Sequence, residues 1–131
     1  MAVSKTSLSA GDSVNAILRE SAEVRKRVTK IFPIVALDKA VLPYISYRQI
    51  DMEIDPVKQG KPGADTIQME VVCYAAKYGE CLELAEAVRD ALDNIEDEHN
   101  GLRIRSCNLT GGTEDATADA YIKQLIFTIK I

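Results

Sequence analysis

Three cysteines, one histidine and a run of carboxylates are the residues of this chain best able to do chemistry, and their spacing decides how much they can do. Cys73, Cys81 and Cys107 are odd in number and contain no CxxC pair. With His99 as the sole histidine they make no zinc set of the usual kind, so free and largely buried thiols are expected. Cys81 stands near the start of a predicted helix, where the dipole lowers a thiol pKa, and it is the candidate nucleophile if the protein is an enzyme. Its place on that helix's apolar stripe favours a core thiol instead. His99 sits in the polar connection DEHNG and reads as an exposed loop histidine. Asp90, Asp93, Glu96, Asp97 and Glu98 are dense enough to attract Ca²⁺, but they lack the alternating Asp/Asn spacing and the glycine of an EF-hand loop. They read as a solvated helix end. Gly111 and Gly112 precede a strand rather than a helix, the wrong context for a phosphate cradle. No nucleophile with its base, no carboxylate pair in a cleft and no metal set emerges. The expectation is a protein that is not an enzyme and needs no cofactor.

The elements that position these residues centre on the stretch from Thr66 to Ile95. In TIQMEVVCYAA, Ile67, Met69, Val71 and Cys73 share one face by the alternation of a β-strand, and Gln68, Glu70 and Tyr74 take mostly the other. After the hinge KYGE, the segment CLELAEAVRDALDNI places Cys81, Leu84, Ala85, Val88, Ala91, Leu92 and Ile95 at spacings of three and four. That is one apolar stripe, with Glu80, Glu83, Glu86, Arg89, Asp90 and Asp93 on the rest of the circumference. A strand with one core face and a helix with an acidic back must pack against each other.

The remaining chain supplies partners for that pair. Residues 1–11 are small and polar without periodicity and are expected to form a flexible tail, ahead of a single domain over 12–131. Asp12 or Ser13 caps a helix along SVNAILRESAEVRKRVTKI, where Val14, Ile17, Leu18, Ser21, Val24, Val28 and Ile31 keep the helical period. FPIVALDKAVLPY contains Pro33 and Pro43 and predicts a short edge strand followed by a turn. LPYISYRQIDMEI reads as a strand bearing aromatic residues, with a bulge or bend from Asp51 to Ile54. DPVKQGKPGAD is a loop rich in Pro, Gly and Lys. A strand from Leu102 to Leu109 and a second flexible loop, TGGTEDATAD, lead to the alternating strand AYIKQLIFTIKI. The order predicts an α+β domain: a mainly antiparallel, mixed β-sheet of four to five strands, with two α-helices packed on one face. A right-handed crossover from the Thr66 strand through its helix to the Leu102 strand would leave a parallel pair inside that sheet.

Whole-chain properties narrow the function classes. With 131 residues, 47% of them hydrophobic, the chain is the size of one domain with one core. A net charge of −4 and a pI near 5.0 argue against a nucleic-acid-binding surface. The basic cluster Arg25, Lys26, Arg27 and Lys30 reads as favourable charge at a helix C-terminus. MAVSKTSLSAGDS lacks the apolar core of a signal peptide, and no run approaches a membrane span, so the expected compartment is the reducing cytosol, with no membrane contact.

The order of segments resembles the small tail-completion proteins, or tail terminators, of long-tailed phages and prophages. Leu42-Pro43-Tyr44 with Tyr47 carries the resemblance, as does Val72-Cys73-Tyr74-Ala75 followed by Tyr78 and the helix Leu84-Ala85-Glu86-Ala87-Val88. It covers the chain from about Ser13 to Ile131. The resemblance implies a structural protein that forms a ring, usually hexameric, on the head-proximal end of the tail tube. Such a ring halts tube polymerisation and offers a surface to the head-side connector. The implied location is the virion tail neck, reached from the host cytoplasm during assembly. The implied partners are further copies of the chain, the tail tube protein and the connector protein, without specific nucleic-acid binding. Two loops are expected to carry ring or tube contacts because they are long and lie between strands. One is represented by Lys58, Gln59, Gly60, Lys61, Pro62 and Gly63, the other by Thr110, Gly111, Gly112, Thr113 and Glu114. Other readings stay open: a head-closure or neck-adaptor ring of the same virion, a cytosolic small-molecule-binding domain with its pocket between helices and sheet, and an enzyme using Cys81.

Overall fold

The computed structural model describes residues 5–54 and 65–131. The contact loop expected at Lys58, Gln59, Gly60, Lys61, Pro62 and Gly63 lies outside the described residues.

The first helix, expected to run unbroken to Ile31, is two helices: α1 spans Ala10–Glu20 and α2 spans Ala22–Arg25. Ser21 interrupts them. Its backbone is extended (φ −74°, ψ 116°), and its hydroxyl accepts the Val24 N–H at 3.3 Å. A serine that satisfies an otherwise unpaired N–H starts a new helix as readily as it continues an old one. Val14, Ile17, Leu18 and Val24 are nevertheless all buried, so the periodicity located the core face correctly. A 3-10 turn over Ser7–Ser9, capped by Thr6, precedes α1, and the buried Ser7 donates its hydroxyl to the Asp65 carboxylate at 2.6 Å.

Then come β1 (Lys30–Pro33), β2 (Tyr44–Glu53), β3 (Thr66–Ala75), α3 (Tyr78–Leu92), β4 (Asp97–His99), β5 (Leu102–Ile104), β6 (Ser106–Ala116) and β7 (Tyr121–Lys130). Five strands form one sheet in the order β1-β2-β3-β7-β6, and β4 pairs with β5 as a separate hairpin. The fold is α+β with a mixed sheet, but the parallel pair is not where the sequence placed it. β1 runs parallel to β2, while β7 inserts between β3 and β6 and pairs antiparallel with both. An apolar, alternating strand such as β7 gains most from a central position, where neighbours cover both edges.

Two segments with the composition of loops form strands. Thr110–Ala116 is not a flexible connection but the second half of β6, paired with β7 as far as Ala116 and Tyr121. The two glycines and the acidic residues weaken strand propensity, and the neighbouring β7 overrides it. The polar break EDEHNG contains β4 and its turn to β5. Asn100 (φ 52°) and Gly101 (φ 81°) both take left-handed conformations between His99 and Leu102, as a two-residue hairpin loop requires. The Asn-Gly pair was a signal present in the sequence.

The core fills one side of the sheet. Ile67, Met69, Val71 and Cys73 of β3 are completely buried, alongside Leu125, Phe127 and Ile129 of β7 and Ile45 and Tyr47 of β2. Cys81, Leu84, Ala85, Val88 and Leu92 close it from α3. Ala87 is also buried, because α1 and α2 pack beside α3 and widen its covered stripe.

Candidate interaction surface

The side of the sheet away from the helices carries the residues that β2, β3, β7 and β6 turn outward. Pairing sets them in rows. Tyr44, Tyr74, Ile122 and Asp115 form one row, Ser46, Val72, Gln124 and Thr113 the next, and Arg48, Glu70, Ile126 and Gly111 the third. In the first row the Tyr44 and Tyr74 rings stack with centroids 4.6 Å apart, and Phe32 of β1 meets Tyr44 edge-on at 5.7 Å. The other two rows hold a polar chain. Arg48 Nε donates to Glu70 Oε1 at 2.9 Å, the Gln124 amide donates to the other Glu70 oxygen, and Thr113 Oγ1 donates to Gln124 Oε1 at 2.9 Å. Glu70 is only 8% exposed, so these bonds replace the water that its carboxylate has lost. The chain ties four strands together across a face that no helix stabilises.

At the tyrosine end the face opens into a cleft of about 400 Å³. Tyr44, Tyr74 and Ile122 form its floor, Leu37 and Leu42 stand on one side, and Ala120 of the β6–β7 turn stands on the other. The segment that forms the first side exposes a group of large apolar residues. Ile34 (69% exposed), Val35 (69%), Leu37 (66%) and Val41 (66%) all face solvent within eight residues. Scattered apolar residues on a surface need no explanation, whereas a contiguous group marks a contact. The backbone holds them there at a cost. Ile34 has φ 65°, a left-handed conformation that a β-branched residue avoids. Around it the Val35 N–H bonds back to the Pro33 carbonyl at 2.7 Å, and the Ile34 N–H donates to the Tyr47 carbonyl at 2.6 Å. The sequence reading missed this group, treating the segment as an edge strand and turn. Four large apolar residues without a periodic partner between Pro33 and Pro43 were the available signal.

On the helix side of the same end, Tyr78 donates its hydroxyl to Glu114 Oε2 at 2.8 Å, and Lys123 Nζ reaches the same oxygen at 3.1 Å. The Tyr78 and Tyr121 rings meet at 5.8 Å, and both residues are exposed. These two bonds hold the Glu114 carboxyl below the usual carboxylate range. Exposed tyrosines beside a fixed charge are common anchors of protein contacts. Among the expected contact residues, Thr110, Gly111, Gly112, Thr113 and Glu114 thus lie on β6, and Glu114 joins α3 to β7.

The candidate chemical residues are placed differently. Cys73, Cys81 and Cys107 are free and buried. Burial raises all three thiols, pushing Cys107 up to about 12, and at Cys81 the nearby Glu114 carboxylate adds to it. Each thiol is therefore protonated in the fold and deprotonates more easily once unfolded. Stability is fully present below the unfolded thiol pKa, near 8.5, and falls as pH rises from there toward about 12. Two results are expected: the native protein reacts with a thiol reagent at pH 8 only as fast as it unfolds, and its melting temperature drops above pH 9. Rapid labelling of Cys81 in the folded protein would reinstate it as a nucleophile. His99 lies half-buried in β4, where its backbone carbonyl accepts the Ser13 hydroxyl at 2.8 Å. Among the described residues no cluster of His, Cys, Asp or Glu could hold a metal ion, and no helix is long and apolar enough to cross a membrane.

No curated protein matches the chain. Among solved structures, a chain from the virion of a native gene transfer agent particle superposes with a TM-score of 0.75 at 16% identity, covering 95% of this chain and 98% of that one. At that identity the likeness speaks for the fold. The family model described as tail completion protein gp17 matches residues 12–131, nearly the whole chain and all of its sheet. This chain belongs to that tail-completion protein family.

Proposed function

We propose that this protein completes a phage-like tail by forming a ring on the head-proximal end of the tail tube. The ring stops tube polymerisation and presents a surface to the head-side connector. Family membership across residues 12–131 supports the tail-completion role. The observation that carries ring formation is the exposed apolar group at Ile34, Val35, Leu37 and Val41, which a lone monomer leaves in water. A hexamer is the stoichiometry expected from the resemblance, the virion neck is its location, and the host cytoplasm is where it assembles. Thr110–Glu114 contribute to the ring or tube contact from β6, and Lys58–Gly63 from the segment between β2 and β3.

Mixing the purified protein with its cognate, polymerising tube protein tests this reading by negative-stain electron microscopy. Ring-shaped caps on one end of tubes that have stopped growing are the expected result. Bare ends with unchanged growth would move the protein to the connector side of the neck. Deleting Lys58 to Gly63 should leave the melting temperature near that of the parent and reduce capped ends. Normal capping after that deletion removes the loop from the contact.

A further inference from the structure

A sheet that does not close has two edges, and the unpaired N–H and C=O groups there are open to another chain. Here the edges are β1 and β6. β1 is largely closed to a backbone ladder. Pro33 has no N–H, its carbonyl already accepts from Val35, and Arg19 Nη2 approaches the Ile31 carbonyl at 3.4 Å. The first half of β6 is closed by residues just after α3. The Asn94 N–H donates to the Cys107 carbonyl at 2.7 Å, and the Leu109 N–H donates to Asp93 Oδ1 at 2.9 Å. Past the register shift between Leu109 and Gly111 these caps stop. Alternation in the ladder then turns the backbone groups of Gly112, Glu114 and Ala116 outward. Asp115 meets the Ala116 N–H at 2.7 Å, and among the described residues no bond reaches the outward groups of Gly112 and Glu114.

The open half of β6 lies in the same rows as β1. Across the sheet, Lys30, Tyr44, Tyr74, Ile122 and Asp115 are level, and so are Pro33, Tyr47, Val71, Leu125 and Gly112. The two edge strands run in opposite directions, because β1 is parallel to β2 and every later pairing is antiparallel. Two copies side by side can therefore continue one antiparallel sheet, with Lys30 of one copy opposite Asp115 of the next. Ile31, outward on β1, then meets Glu114, outward on β6. Charge agrees at the facing positions: Lys30 stands on the β1 edge and Asp115 on the β6 edge. A two-fold pairing of β6 with itself would set Glu114 and Asp115 against their own copies, which like charge opposes. Within one copy the two edges are four strand spacings, roughly 19 Å, apart, so they cannot meet each other.

We propose that copies of this chain join head to tail, the β1 edge and the apolar Ile34–Val41 segment of one seated on the open Gly112–Ala116 edge of the next. The proposal rests on the ring reading and names its contact. Two different surfaces on opposite sides of a subunit are what a closed ring requires. Because Pro33 and Arg19 limit the backbone bonds, burial of Ile34, Val35, Leu37 and Val41 supplies most of the contact.

Cysteine cross-linking on capped tubes tests it. Lys30 and Asp115 are exposed, and as inward-bonded residues on facing edges they would form a close cross-strand pair. The native cysteines are buried and stay silent. Under mild oxidation, the double variant Lys30→Cys/Asp115→Cys should give a covalent ladder ending at the full ring, and the two single variants mixed should give dimers. Either single variant alone should stay monomeric on a non-reducing gel. Leu37→Asp, at a solvent-facing site, should leave the melting temperature unchanged and lower the fraction of capped ends about tenfold or more. Capped tubes without cross-links overturn the contact and leave the ring reading standing, as does dimer from Asp115→Cys alone. Bare tubes with the parent protein remove the ring reading and this contact with it.

Discussion

Phe127→Ala should lower the unfolding free energy by about 3–5 kcal/mol, the range for deleting a fully buried aromatic ring. Phe127 is completely buried at the centre of β7, level with Met69 of β3 on one side and Leu109 of β6 on the other. Its ring touches the core between sheet and helices, where Met69, itself completely buried, has no open surface toward which to relax. The cavity left behind adds to the lost transfer energy. For a domain of this size the melting temperature should fall by about 10–20 °C, and the urea midpoint should fall with an unchanged slope. A loss below about 1 kcal/mol would mean that the site collapses around the smaller side chain. The proposed ring contacts lie on other surfaces, so on that reading the variant protein that remains folded at low temperature should still cap tubes.

Gly112→Ala should cost about 1–3 kcal/mol and should act on assembly as well. A Cβ at Gly112 would stand 2.4 Å from the Gln124 carbonyl oxygen, which is backbone and cannot swing aside. The reason is space, since β6 and β7 approach closely just beyond the register shift. Relief requires the strands to part there. That movement disturbs Gln124, whose side chain links Thr113 to the buried Glu70. It also shifts the open edge proposed to receive the next subunit. Hydrogen exchange should speed up at β7 amides from about Ile122 to Ile126 while the β2–β3 amides keep their protection. Gly79→Ala is the matched control. Nothing lies within 4 Å of a Cβ at Gly79, and its place in the first turn of α3 favours alanine by up to about 1 kcal/mol. If Gly112→Ala proved as harmless as this control, the close approach of β6 to β7 would have to be abandoned.

The sequence by itself determined the elements whose side chains alternate or repeat strongly. The four core residues of β3 and the apolar stripe of α3 are legible because burial of one face imposes a period, and a period survives in one dimension. The α+β class and the resemblance to tail-completion proteins follow from the order of those same elements. Local signals went further than the reading took them, since Asn100-Gly101 announces a hairpin and Ser21 can start a helix wherever it stands.

Only the tertiary structure decided what depends on neighbours distant in the chain. TGGTEDA has the composition of a loop, yet β7 beside it supplies the hydrogen bonds that make it a strand. Loop composition makes Thr110 to Glu114 contact candidates in the sequence, whereas the contact proposed for them rests on an edge that Asp93 and Asn94 stop short of covering. The insertion of β7 between β3 and β6, the Arg48–Glu70–Gln124–Thr113 chain and the exposure of Ile34 to Val41 are equally out of reach of periodicity. Each is settled by which backbone groups and apolar surfaces find a partner once the sheet has formed. A sequence records what each segment wants to bury, and the fold decides which of those demands go unmet.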